Sequence, residues 1–140
     1  MSQRLAGYSS TPLSKKLGIG EGTSVHVVGA PTDYRLLLEP LPSGVTFAST
    51  VSKDVDLVHL FRDRKIALER NLLSLRKGIR SDAVVWVSWP KKASRVPTDI
   101  TEDVIRSLAL PMGFVDIKVC AVTNVWSGLK LVIRKSLRRP

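Results

Sequence analysis

A chain of 140 residues with 44% hydrophobic content is long enough to bury one core and too apolar to be disordered. Its longest apolar run falls far short of a membrane span. A formal charge of +10 points to acidic partners, with nucleic acid the usual candidate, against a solvated basic surface as the alternative. The lone Cys120 excludes an internal disulfide and reads as a small core residue in a reducing compartment. Residues 1–10 contain no hydrophobic signal region, so a cytoplasmic protein is expected.

The first element is a short helix. Thr11 is placed to cap it, Pro12 suits its first turn, Leu13 and Leu17 share a face, and Gly18 fits the residue past its end. Gly20 to Gly22 turn the chain into a strand over Ser24 to Val28, which stops at Gly29-Ala30-Pro31. Asp33 to Leu38 reads as a second helix, closed by Pro40 and Pro42, and Val45 to Ala48 as a second strand. Asp56 to Phe61 is a third strand. It leads into a long helix from about Asp63 to Lys77, with Leu68, Leu72, Leu75 and Ile79 as its buried stripe and Gly78 as a left-handed terminator. The fourth strand, Ala83 to Trp89, is a near-continuous apolar run of the kind found in buried parallel sheets, and Pro90 should stop its ladder. Asp99-x-x-Glu102 resembles a capping box opening the next helix, whose apolar face is Ile100, Val104 and Leu108. Val115 to Val122 and Leu129 to Ile133 are the last strands. Their short connection requires an antiparallel pair.

Strands alternating with helices predict an α/β, three-layer Rossmann-like domain: a mostly parallel sheet of about six strands with a C-terminal antiparallel hairpin. Residues 1–133 form this single domain and residues 134–140 a basic tail. The closing pattern resembles class I methyltransferases, and by that analogy the strand order is 2-1-3-4-6-5.

A dinucleotide or S-adenosylmethionine site needs a glycine-rich turn after the first strand and an acid near the end of the second. Here the turn offers Gly29 alone, and the second strand ends at Ala48-Ser49-Thr50. No cofactor is therefore expected. His26, His59 and Cys120 lack metal-ligand spacing, so no metal is expected either. His59 and Ser88, on neighbouring strands, form a conceivable nucleophile–base pair, but nothing signals the exposed nucleophile or oxyanion hole that hydrolysis requires.

The stronger signal is the loop leaving the fourth strand. Ser88, Trp89, Lys91, Lys92 and Ser94 precede a helix N-terminus, an arrangement that favours anions. Trp126, Ser127 and Lys130 form a second constellation that a folded-back hairpin would bring beside it. These eight residues are the candidate anion site, and no catalytic residue is assigned. The partner is then a small anionic molecule or an acidic protein. For nucleic acid, the alternative, the candidates are Arg64, Arg70, Arg134, Lys135, Arg138 and Arg139.

Gly7-Tyr8-Ser9-Ser10-Thr11-Pro12-Leu13 with Lys16-Leu17-Gly18, Val87-Ser88-Trp89-Pro90-Lys91-Lys92, Thr98-Asp99-Ile100-Thr101-Glu102 and Trp126-Ser127-Gly128-Leu129-Lys130 together resemble a family of short bacterial proteins, common in actinobacteria. Its members look like reduced methyltransferase-type Rossmann domains. The resemblance implies that fold and a cytoplasmic bacterial setting, pairs the two tryptophan motifs as one face, and lends no activity. Val28-Gly29-Ala30-Pro31 looks like the family's single-glycine turn, which implies loss of the usual cofactor loop. The sequence thus points to a binding or regulatory protein for an anion at the carboxyl edge of the sheet, with nucleic-acid binding and a divergent methyltransferase as alternatives.

Overall fold

The computed structural model describes residues 11–138; the Gly7–Ser10 part of the first motif and Arg139 lie outside them. Six strands form one sheet in the order β2-β1-β3-β4-β6-β5, the order expected from the sequence. The strands are β1 (Ser24–Val28), β2 (Thr46–Phe47), β3 (Leu57–Phe61), β4 (Val84–Pro90), β5 (Phe114–Ala121) and β6 (Trp126–Ile133). The first four run parallel, and β6 lies antiparallel between β4 and β5. Thr123 builds the tight turn between β5 and β6, its buried hydroxyl accepting from the N–H of Val125 and of Trp126. The hairpin strand therefore begins earlier than expected, and Trp126 is a strand residue opposite Pro90, not a loop residue.

Each face of the sheet is covered by two helices. On one face lie α3 (Lys65–Gly78) and α4 (Glu102–Ala109), over Leu60, Val85, Val87, Leu129 and Leu131. Leu68, Leu72 and Leu75 bury the stripe of α3 as predicted, each contributing roughly 1.5–3 kcal/mol by leaving water. On the other face α1 (Leu13–Leu17) and α2 (Tyr34–Leu37) cover Val25, Leu57, Phe61 and Trp86. Trp86 is fully buried, and its indole N–H donates to the carbonyl of Leu17 at 2.8 Å. Gly128, in the strand beside it, leaves the room this ring needs: a Cβ there would lie 3.3 Å from the ring and 3.0 Å from Val122.

Several local expectations are corrected. Pro12, not Thr11, holds the N-cap position of α1, while Gly18 ends that helix in the left-handed conformation at φ 83°. Gly78 is the last residue of α3 and not a left-handed terminator; the chain leaves extended at Ile79. The α4 helix starts two residues later than the Asp99 box implies, capped by the Thr101 hydroxyl, which accepts from Val104 N–H at 3.1 Å. Its buried face is Ile105, Leu108 and Ala109, with Ile100 buried just before it. Asp99 instead caps α3: its carboxylate accepts from the N–H of Lys65 at 2.6 Å, and the Thr98 hydroxyl donates to the Asp63 carbonyl. Pro90 belongs to β4, because its missing N–H falls on the β3 side, beyond Phe61, where no strand continues.

Candidate functional site at the carboxyl edge

In open α/β sheets ligands sit at the carboxyl ends of the strands, where the strand order reverses. Here that point lies between β1 and β3. Gly29, leaving β1 at φ 70°, packs so closely that a Cβ would lie 2.5 Å from the carbonyl oxygen of Phe61. This glycine is required by backbone-to-backbone contact, and that contact closes the β3 side of the crevice.

The opening lies on the β2 side. A cavity of about 500 Å³ is lined by Val27, Ala30, Pro31 and Thr32 from the end of β1, by Tyr34, Arg35 and Leu36 of α2, and by Phe47, Ala48 and Ser49 from the end of β2. The Arg35 guanidinium stands 4.2 Å over the Phe47 ring, a favourable cation–π geometry. No carboxylate lines the cavity. The Pro31 carbonyl accepts the N–H of Tyr34, so the turn after β1 is used to start α2. His26 bridges the adjacent edge, its Nδ1–H donating to the Ala48 carbonyl at 2.9 Å. Sequence reasoning marked this turn and Ser49 only for what they lack; the cavity they share forms only when α2 folds over both strand ends.

Beneath the edge runs a buried polar chain. The Tyr34 hydroxyl meets His59 Nδ1 at 2.8 Å, and His59 Nε2 meets the Ser88 hydroxyl at 2.7 Å. Either tautomer satisfies both ring nitrogens. His59 also stacks on Phe61 at 4.2 Å, and Phe61 meets Trp126 edge-on at 5.1 Å. Burial holds the imidazole pKa down to about 3 and pushes the Tyr34 phenol well above its usual value. The pair foreseen from neighbouring strands is thus real. It is fully enclosed, with His59 and Ser88 both at 0% exposure, so it is a satisfied core network with no access to a substrate in solution.

The eight sequence-predicted anion residues separate accordingly. Ser88 is spent on His59, and Trp89 packs in the α3 face of the core, so both are corrected: neither reaches solvent beyond the strand. Ser94 donates to the Lys91 carbonyl at 2.6 Å and shapes the turn. Trp126 and Ser127 lie in β6 opposite Pro90 and Trp89. Lys130 sits opposite Trp86, four residues, or about 13 Å, down the strand from Trp126, and does not join the loop. Lys91 and Lys92 remain at the edge, free of side-chain hydrogen bonds and ion pairs among the described residues. Neither pairs with Asp99 or Glu102: Asp99 caps α3, and Glu102 binds Arg106. Arg64, at the start of α3, shares that edge, whereas Arg134, Lys135 and Arg138 follow β6 at the opposite edge, and Arg70 is exposed on α3 between them. The nucleic-acid set is therefore not one surface.

Comparison with solved structures decides the fold. A putative type 11 methyltransferase from Sulfolobus solfataricus matches with a TM-score of 0.60 at 16% identity, over 91% of this chain and 93% of that one. The fold is that of a class I methyltransferase. A SAM-dependent methyltransferase from Aquifex aeolicus matches equally well at 0.60 and 15% identity, over 86% and 87% of the two chains. The B. subtilis M1A22 tRNA methyltransferase matches at 0.55 and 10% identity, over 89% of this chain and 66% of that one. No family model and no curated protein matches the chain.

The residues at the edge do not fit the cofactor this fold implies. Gly29 is committed to Phe61, Pro31 offers no N–H, and the end of β2 presents Ser49 where a ribose-binding acid is needed. Among the described residues no group of three or more metal-ligating side chains assembles, and no helix is long and apolar enough to cross a membrane.

Proposed function

We propose that the protein binds a small anionic molecule at the carboxyl edge of its sheet and does not carry out S-adenosylmethionine chemistry. The observation behind this reading is the composition of the cavity between α2 and the ends of β1 and β2: one guanidinium, an apolar floor and no carboxylate. A flat or apolar body packs against Phe47 and Pro31. Its anionic group takes hydrogen bonds from Arg35, with the hydroxyls of Thr32 and Ser49 beside it. A positive sulfonium finds no counter-charge there. Lys91, half-buried, and Lys92, exposed, add attraction from across the edge. The divergent-methyltransferase alternative draws on the fold alone, and fold does not carry activity. Native mass spectrometry of the purified protein beside Arg35→Ala tests the reading. An anionic adduct held by the parent and lost from the variant supports it; an adduct with the mass of S-adenosylmethionine or its demethylated product overturns it.

A further inference from the structure

The opposite, amino edge of the sheet carries a groove of about 1020 Å³, formed where the end of α3, the stretch before β4 and the segment after β6 meet. Lys53, Arg76, Lys77, Arg80 and Arg138 line it, against a single carboxylate, Asp82. Asp82 is already taken by Arg80 Nε at 2.6 Å. Arg80 is further bound by Asp56 and by the carbonyls of Lys53 and Val55, whereas the other two arginines are each held through Nε alone. Arg76 Nε donates to the Met112 carbonyl at 3.0 Å, and Arg138 Nε donates to the Ile133 carbonyl at 2.8 Å. In each case the backbone fixes the guanidinium through one nitrogen and leaves both terminal nitrogens without a hydrogen-bond partner among the described residues. Gly113 leaves room for this guanidinium, since a Cβ there would approach Arg76 Nε to 3.2 Å.

The carboxyl end of α3 would by itself repel an anion. Lys53 removes that obstacle, because its ammonium donates to the carbonyls of Lys77 and Ile79 at 3.1 and 2.8 Å. Beyond the groove the positive charge continues. Arg134 and Lys135 are exposed just after β6.

We propose that this groove is a second anion site, separate from the carboxyl edge, and that it takes the phosphates of a nucleic-acid strand. A guanidinium with its terminal nitrogens free meets phosphate oxygens bidentately. The groove is open and its cations run on past it at Arg134 and Lys135, which suits a continuous backbone. Residues from segments as distant as Lys53 and Arg138 build it together.

Fluorescence anisotropy with a labelled single strand of mixed sequence, about 20 nucleotides long, tests the proposal. The expected result is salt-sensitive binding that Lys77→Glu with Arg138→Glu weakens at least about tenfold at low salt. The slope of log affinity against log salt should flatten by about 1.4, two contacts at roughly 0.7 each. A charge-matched control, Lys15→Glu with Lys118→Glu, both exposed outside the groove, keeps most of the affinity. Lys77→Glu alone gives the same test, at half the change in slope, if melting shows that the double variant does not fold. Equal weakening by control and groove variants overturns the proposal, since net charge alone would then explain binding. Absence of strand binding overturns it as well. So does saturable binding of sodium triphosphate without binding of the strand, which would make the groove a small-phosphate site.

Discussion

Replacing His59 with glutamine isolates the cost of keeping an imidazole neutral in the core. The residue is fully buried between Tyr34 and Ser88, and burial lowers its pKa from 6.5 to about 3. A depressed folded-state pKa means that the unfolded chain binds the proton first as pH falls through 6.5. Stability is therefore lost from about pH 6.5 downward, until the folded form also protonates near pH 3. At pH 4.5 the unfolded histidine lies two units below its pKa, which is worth about 2.5 kcal/mol relative to pH 7 at 1.36 kcal/mol per unit. Carboxylates such as Asp116, held low chiefly by its bond to Arg106, also lose stabilising interactions in acid, but they do so equally in parent and variant. Urea unfolding of both proteins at pH 7 and pH 4.5 separates the terms. The parent should lose about 2.5 kcal/mol more than His59→Gln on acidification, even though the variant starts out less stable. Equal losses would show that His59 opens to solvent in the folded state, and the enclosed network would be wrong.

Asp99→Ala should cost about 1 kcal/mol, in the range of a lost N-cap, and hydrogen exchange should quicken in the first turn of α3, not of α4. The reverse pattern would reinstate Asp99 as the opening residue of α4. Trp86→Phe should cost about 1–3 kcal/mol on chemical denaturation, because it leaves the Leu17 carbonyl without its donor inside the core. A neutral result would mean that water reaches α1. Lys91→Ala with Lys92→Ala should change stability by no more than about 0.5 kcal/mol, as at ordinary surface sites, by thermal or urea unfolding.

The elements were legible because their signals are local: apolar runs, the helices between them, and a connection after β5 too short for a crossover; the strand order came from the resemblance of that pattern to class I methyltransferases. The His59–Ser88 contact was legible too, since it follows from strand adjacency. What escaped is what depends on distant segments. Asp99 looked like the start of the nearest helix, yet its carboxylate serves Lys65, 34 residues away. Ser88 looked like a hydroxyl at a loop mouth, yet it is fully buried against His59, because its burial depends on helices that close over the sheet from elsewhere in the chain. Trp126 looked out of place in a turn and is ordinary in a strand, the turn being made by Thr123. The two cavities draw on residues that no motif links: Arg35 with Ser49 at one edge, Lys53 with Arg138 at the other.

Titration calorimetry with S-adenosylmethionine bears most directly on the carboxyl edge. With Gly29 committed to Phe61 and Ser49 in place of an acid, no saturable binding is expected at micromolar ligand, and Arg35→Glu should not create it. A micromolar dissociation constant in the parent, about −8 kcal/mol of binding free energy, would contradict this and make the protein a cofactor-binding methyltransferase.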